Sequence, residues 1–135
     1  DGIPLVYNGQ ETGASVNTNL FEKEPIDWKH HNLGMYKLMR ILIALRKKYH
    51  ALSSKNYTIT QHNREDDVLA YVKLGREKIF TVINFRDKHI EVTLPSLIYS
   101  RIKTGRVLFN TKNHFQLGLN KITLMPYQAI LILIR

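Results

Sequence analysis

Apolar and polar residues alternate differently in three regions of the chain. A short apolar run, Ile3 to Tyr7, is followed by a polar stretch that reaches about residue 32. Residues 33–50 place apolar side chains every three or four positions, and from about residue 56 the repeat shortens to two. This order predicts one strand, a long loop, one helix and then an all-β module.

The run from Ile3 to Tyr7 is continuous rather than alternating. Such a run is typical of a strand that is buried on both faces, as in a parallel sheet. Pro4 agrees with this interpretation because proline is tolerated at the beginning of a strand. The polar stretch that follows is long for a simple connection, and long loops are often functional.

Residues 33–50 predict an amphipathic helix. One apolar stripe runs along it at helical spacing: Met35, Leu38, Leu42, Leu45 and Tyr49, widened by Met39 and Ile43. The basic residues fall largely outside the stripe, and those in the last turn suit the helix dipole: Lys37, Arg40, Lys47 and Lys48.

The remainder of the chain predicts six or seven short strands, which is typical of an antiparallel sandwich. The segments are 57–61, 67–74, 78–85, 89–94, a segment near 101–109, 121–125 and 128–134. Two sets of apolar residues each share one strand face: Val68, Ala70, Val72 and Leu74, and later Ile90, Val92 and Leu94. Gly75-Arg76 predicts a tight hairpin turn.

The composition argues against several classes of protein and site. The 135 residues are 44% hydrophobic, enough for a packed core, and they carry a net charge of +9. A basic nucleic-acid module would suit that charge, but the lysines and arginines are scattered, which favours a solvated surface. No cysteine is present, so disulfides and thiolate metal sites are excluded. No apolar run approaches the roughly 18 residues of a membrane span.

Candidate chemistry concentrates in the polar stretch. Its carboxylates could divide acid and base roles in glycoside cleavage, or could be charges on a solvated loop: Glu11, Glu22, Glu24 and Asp27. Trp28 could stack on a sugar or anchor local packing. His30-His31 lacks the ligand set of a metal site, so we predict none.

Four segments, in order, resemble the α-amylase family, glycoside hydrolase family 13. GIPLVYNGQE at residues 2–11 resembles the family motif G-x-P-x-x-Y-x-G-x-E, and FEKEPIDW at 21–28 resembles FEKDPIDW. ALRKKYHAL at 44–52 is similar to ALRKKHPAL, with His50 where the family usually has proline. LMPYQAIL at 124–131 is similar to the ending LPPYxALVL.

The resemblance implies a mainly β C-terminal fragment of such an enzyme. Residues 1–52 would be the last strand, loop and helix of a catalytic (β/α)8 barrel, and residues 53–135 the antiparallel β-sandwich called domain C. The parent would hydrolyse α-1,4-glucosidic bonds in starch or maltooligosaccharides by a retaining mechanism, from a secreted or periplasmic location. Its catalytic carboxylates and any calcium ligands would lie upstream, so we expect no catalytic residue, metal or cofactor here and no activity from the chain alone.

The loop after the last barrel strand would lie at the rim of the substrate cleft, because barrel enzymes build their sites from these loops. The candidate rim residues are Tyr7, Gly9, Glu11 and Trp28. Glu11 could orient cleft residues or form a structural salt bridge, and Tyr7 could line the pocket floor or fill the barrel. Expected partners are an α-glucan, the remainder of the barrel, and a second copy through the uncovered strand and helix.

Two alternatives remain open from the sequence. Within the family, the parent could be an α-glucosidase, a cyclomaltodextrinase-type enzyme or a transglycosylase. From another class, the chain could be a non-catalytic carbohydrate-binding β-module. That alternative needs exposed aromatic side chains on one face, and the candidates are Tyr57, Tyr71, Phe80, Phe85, Tyr99, Phe109, Phe115 and Tyr127.

Overall fold

The computed structural model describes residues 4–14, 21, 23, 25–29 and 32–135. The chain divides into two compact units, Asp1–Lys48 and Tyr49–Arg135. The assignment of residues 1–52 to a barrel end and of 53–135 to domain C stays a prediction about the parent protein.

The strand predicted from Ile3 to Tyr7 is not formed by its described residues. Residues 4–7 have no strand partner, and Leu5 and Tyr7 are 80% and 59% exposed; Ile3 lies outside the described residues. A strand exists only where a neighbouring strand accepts and donates its backbone hydrogen bonds. The described part of the first unit holds no second strand, so the apolar run has nothing to pair with.

The first unit is built from a 3₁₀ helix, Gln10–Thr12, and a long helix, α1, Leu33–Lys48. Asn32 joins them: its backbone N–H donates to the Thr12 carbonyl at 2.7 Å, and its Oδ1 accepts from the N–H of Met35 at 3.0 Å. This second bond caps the start of α1, because asparagine satisfies one of the free N–H groups there.

The predicted helix over 33–50 ends two residues early. Tyr49 adopts an extended backbone, and a separate short helix, α2, His50–Ser53, follows it. The apolar stripe on α1 does form at helical spacing, but no α1 residue for which burial is described is buried. Leu42 and Ile43, for example, remain substantially exposed.

The second unit contains α2, a helix α3, Ser96–Lys103, and eight strands. The strands are β1 Tyr57–Ile59, β2 Val68–Leu74, β3 Lys78–Asn84, β4 Ile90–Thr93, β5 Arg106–Asn110, β6 Gln116–Leu117, β7 Lys121–Leu124 and β8 Ala129–Ile134. They form a five-stranded sheet in the order β1-β2-β3-β8-β5 and a three-stranded sheet in the order β4-β7-β6, with every pair antiparallel. The prediction of a mainly β, antiparallel fold is confirmed.

Residues from both sheets share one apolar core. On β2, Val68, Ala70 and Val72 are buried, and on β4, Ile90 and Val92 are buried. These are the faces that the period of two predicts. The largest core side chain is Phe80 of β3. Each fully buried aliphatic or aromatic side chain contributes roughly 1.5–3 kcal/mol to folding.

The segment near 101–109 is only half strand. It begins inside α3, and the strand starts at Arg106. Ile98 and Ile102 lie one helical turn apart, and the helix carries both to the core, where Ile102 is buried and Ile98 packs against the buried cluster. The strand predicted from the period of two is therefore wrong for residues 101–103. The two-residue β6 was also not predicted because it is too short to show a period.

The tight hairpin predicted at Gly75-Arg76 forms between β2 and β3, with three loop residues, Gly75 to Glu77. The N–H of Gly75 donates to the carbonyl of Glu77 at 2.9 Å. Among the described residues, no helix is long and apolar enough to cross a membrane.

Candidate functional site

The polar segment after Tyr7 folds into a tight turn. The N–H of Gln10 donates to the Tyr7 carbonyl at 3.0 Å, and the Gln10 side-chain oxygen accepts from the Tyr7 N–H at 2.8 Å. Gly9 has a φ of +89°. Residues with a side chain rarely adopt this left-handed conformation, so glycine is required at position 9.

The turn leads directly into the 3₁₀ helix that carries Glu11. The hydroxyl of Thr12, a buried residue, donates to the Gly9 carbonyl at 2.8 Å and fixes the helix on the turn. Glu11 is half-buried. Its position therefore depends on the left-handed backbone at Gly9, two residues earlier.

A cavity of about 380 Å³ lies within the first unit, between this turn and α1. It is lined by Val6, Tyr7, Asn8, Glu11, Tyr36, Met39, Arg40 and Ile43. Its volume falls near the lower end of the range for small-ligand pockets, roughly 300–1,000 Å³. Two of the predicted rim residues, Tyr7 and Glu11, thus meet in one cavity.

Four lining residues come from α1 and were not predicted as site residues. Tyr36, Met39, Arg40 and Ile43 follow helical spacing along one side of the helix. The Arg40 guanidinium carbon lies 5.7 Å from the centre of the Tyr36 ring, a cation–π contact. The four-residue separation of an aromatic and a basic residue was the sequence signal for this pair.

The lining combines apolar side chains with one carboxylate, one guanidinium and two phenol hydroxyls. Such a set can cover the apolar face of a ring and hydrogen-bond its hydroxyls. Glycoside hydrolysis by the usual route needs two carboxyl groups flanking the bond. Glu11 is the single carboxylate among the lining residues, so these residues do not supply such a pair.

Trp28 lies apart from this cavity. It is 60% exposed and is not among the lining residues. Its segment does approach the turn, because an added Cβ on Gly9 would be 3.6 Å from Cγ1 of Ile26. Of the other candidates, Glu22, Glu24, His30 and His31 lie outside the described residues. The described residues include no group of three or more histidine, cysteine or acidic side chains that could hold a metal.

Curated proteins similar to the chain in sequence include two enzymes. Neopullulanase 2 from Thermoactinomyces vulgaris is 28% identical over 135 residues, which covers 97% of this chain and 23% of that protein. Cyclomaltodextrinase from Geobacillus thermopakistaniensis (strain MAS1) is 29% identical over 97 residues, covering 70% and 16%. The chain thus spans less than a quarter of the length of these relatives. No family model matches it.

Solved structures agree on the fold. The trehalulose synthase MutB from Pseudomonas mesoacidophila MX-45 aligns with a TM-score of 0.60 at 23% identity, over 75% of this chain and 18% of that one. The MutB E254Q mutant in complex with sucrose gives the same values. The resemblance to a C-terminal segment of the α-amylase family is confirmed. The matches bear on the fold of this chain and on its resemblance to that family, and its activity is proposed below.

Proposed function

We propose that the chain is the C-terminal part of an α-amylase-family glycosidase whose parent hydrolyses α-1,4-glucosidic bonds in starch or maltooligosaccharides with retention. The observation that carries this is the turn from Tyr7 to Glu11, where the family motif places a tyrosine and a carboxylate in one cavity. Support comes from two of the sequence relatives, which are named as a neopullulanase and a cyclomaltodextrinase.

In the parent, residues 1–52 close the catalytic barrel and residues 53–135 form domain C. The turn after Tyr7 then lies at the rim of the substrate cleft, since barrel enzymes gather their catalytic groups on the loops after the strands. Glu11 acts there as a positioning residue. The left-handed Gly9 sets its place, and Tyr7 contributes a ring beside it.

We propose that these 135 residues do not hydrolyse glucan by themselves. A retaining glycosidase needs a nucleophile and an acid/base carboxyl roughly 5–5.5 Å apart. The resemblance implies that the catalytic carboxylates of the family lie upstream of the segments matched in this sequence. Catalysis therefore requires the remainder of the barrel as a partner.

The proposal is tested by comparing the parent protein with the 135-residue chain on soluble starch, maltoheptaose, β-cyclodextrin and sucrose. The parent should release reducing sugar from the α-1,4-linked substrates, with the α-anomer appearing first by NMR, and the chain should release none. Isomerisation of sucrose without starch cleavage would refute the proposed specificity for α-1,4-glucosidic bonds. Turnover by the isolated chain would refute its inactivity.

The rim assignment has its own test in the parent. Glu11→Gln keeps the shape of the side chain and removes its charge. We expect a lower kcat and an altered pH profile, because a positioning carboxylate acts on the ionisation of its neighbours. Glu65→Gln, at an exposed position of the second unit, is the matched control. Equal kinetics for both variants would leave Glu11 with a structural role only.

The carbohydrate-binding-module alternative needs exposed aromatic side chains on one face, and three of the eight candidates are exposed. Phe80 is fully buried, and Tyr99 and Phe115 pack against the core. The exposed rings are Tyr57, Phe85 and Tyr127. The first of these lies on the edge strand β1, and the other two follow β3 and precede β8.

A further inference from the structure

Tyr127 has an unusual backbone for a tyrosine. Its φ is +51°, in the left-handed region. The other described non-glycine residue with a positive φ is Asn120, and asparagine adopts this region readily. A bulky side chain there is strained, and such strain persists only when the surrounding structure enforces it.

Buried amides enforce the turn that holds Tyr127. The Gln128 side chain accepts from the Met125 N–H at 2.7 Å and donates to Asn110 Oδ1 at 2.8 Å. The Asn84 amide donates to the Met125 carbonyl at 2.8 Å. Both amide side chains belong to fully buried residues. The turn between β7 and β8 is therefore fixed on both sides, and it holds the Tyr127 ring at the surface.

Exposed groups flank this ring. The Tyr127 N–H donates to the Arg86 carbonyl at 2.9 Å, which sets the two residues side by side. Tyr127 is 62% exposed, and Phe85, next to Arg86, is 54% exposed. The Arg86 guanidinium is held by Asp67 Oδ1 at 2.6 Å and by the carbonyl of Asp66 at 2.9 Å. Two rings and a fixed ion pair thus share one end of the five-stranded sheet.

This combination fits a sugar ring better than a phosphate. An aromatic ring with fixed polar neighbours covers the apolar face of a pyranose, and a guanidinium with a carboxylate can donate to and accept from its hydroxyls. Segments 64–67 and 86–88 together carry three basic and four acidic residues. A phosphate-binding surface needs an excess of positive charge, which is missing here.

We infer that Tyr127, Phe85 and Arg86 form a surface site that stacks a glucose unit of an α-glucan chain. The site is separate from the cavity beside Tyr7 and Glu11. That the sugar belongs to an α-glucan rests on the proposed function; the aromatic and ion-pair geometry itself requires only a pyranose. In a polymer-degrading parent, the site holds a glucan strand on domain C.

The test uses electrophoresis of the 135-residue chain through gels that contain soluble starch or glycogen, and titration with maltoheptaose. Tyr127→Asn is the decisive variant, because asparagine accepts the left-handed backbone and lacks the ring. We expect binding to weaken roughly three- to tenfold, as loss of a ring contact implies, while the thermal unfolding midpoint stays equal or rises. Phe85→Ala should weaken binding as well.

Tyr57→Asn is the matched control, since it removes another exposed tyrosine from the same sheet. It should leave gel retention unchanged. The inference is overturned if the unmodified chain is not retarded by either polymer, or if Tyr127→Asn is retarded as strongly as the unmodified chain.

Failure of this site and failure of the proposed activity are distinguishable. In an active parent, Tyr127→Asn should raise KM for starch and leave KM and kcat for a short maltooligosaccharide unchanged. A parent without glycosidase activity whose chain is still retarded through Tyr127 would refute the activity and leave the sugar site standing. An active parent whose chain is not retarded would refute the site alone.

Discussion

Gly75 lies directly against Ala51, so that a Cβ added to Gly75 would be 2.7 Å from both the backbone nitrogen and the Cα of Ala51. The contact brings α2 onto the β2–β3 hairpin, where the Glu77 carboxylate also accepts from the Ala51 N–H at 3.2 Å. Because the obstructing atoms are backbone, they cannot rotate away. The glycine is needed for this approach, and its φ is not in the left-handed range.

We therefore expect Gly75→Ala to lower the free energy of unfolding by about 1–3 kcal/mol, the usual cost of overpacking. Urea denaturation followed by circular dichroism measures it. Gly118→Ala is the control, because the nearest atom to its added Cβ is 3.9 Å away. Equal stability of the two variants would contradict the close approach.

Gln128 is the amide on which the β7–β8 turn depends. Gln128→Met keeps similar volume but leaves the Met125 N–H, Asn110 Oδ1 and the His114 carbonyl without this partner. Met125 and Asn110 are half-buried and His114 is exposed, so water can replace some of these bonds. The variant should lose about 1–3 kcal/mol, the cost of one unsatisfied group. Gln116→Met, at an exposed position of β6, should change stability little. A neutral Gln128→Met would show that the network contributes no net stability.

Stability should fall in acid in part because of Asp67. The hydrogen bond from Arg86 lowers the pKa of this carboxyl below its usual value, and nearby basic side chains add to the shift. A group whose folded pKa is depressed stabilises the fold above its unfolded pKa, and the contribution disappears as the pH falls through the folded pKa. The stability difference between the unmodified chain and Asp67→Asn should thus be constant near neutral pH and shrink below about pH 4.

Urea titrations between pH 2 and 7 give this difference directly. Arg86→Ala should remove the same acid-dependent difference, because it deletes the donor. If the difference in unfolding free energy between the unmodified chain and Asp67→Asn grew in acid, the prediction would be wrong.

The uncovered apolar face of α1 predicts self-association. On that face, the neighbouring side chains of Leu42 and Ile43 are 37% and 45% exposed, and exposed apolar patches promote association. Light scattering of the 135-residue chain should show species larger than a monomer at micromolar concentration. The double change Leu42→Lys and Ile43→Lys should shift the chain toward monomer, and Leu97→Lys, at an exposed apolar residue of α3, should not. A monomeric unmodified chain would contradict this prediction.

Much of the second unit could be read from the sequence because side chains on a strand alternate between faces. That rule placed Val68, Ala70 and Val72 in the core correctly. It failed at residues 101–103, which belong to the helix α3 that carries Ile102 to the core. Strand and helix periods cannot be separated in so short a segment without knowing which surface the residues cover.

The candidate site was also predicted only in part. Tyr7, Gly9 and Glu11 were predicted because they stand close together in a motif, and the structure places Tyr7 and Glu11 in one cavity with Gly9 setting the turn. Tyr36 and Arg40 are more than 20 positions further along the chain. The fold of the first unit brings them to the cavity through the contact between Asn32 and Thr12, which no local pattern indicates.

By itself, the sequence determined the elements whose apolar residues repeat with a clear period: α1, the alternating strands and their buried faces. Periodicity is a local property, so it can be recognised without knowing which elements pack against each other. The tertiary structure decided which elements and side chains are partners: β8 lies between β3 and β5, Gln128 is buried among its hydrogen-bond partners, and residues 4–7 have no strand partner. These outcomes depend on hydrogen-bond partners and surfaces supplied by distant residues, and a sequence pattern carries no record of them.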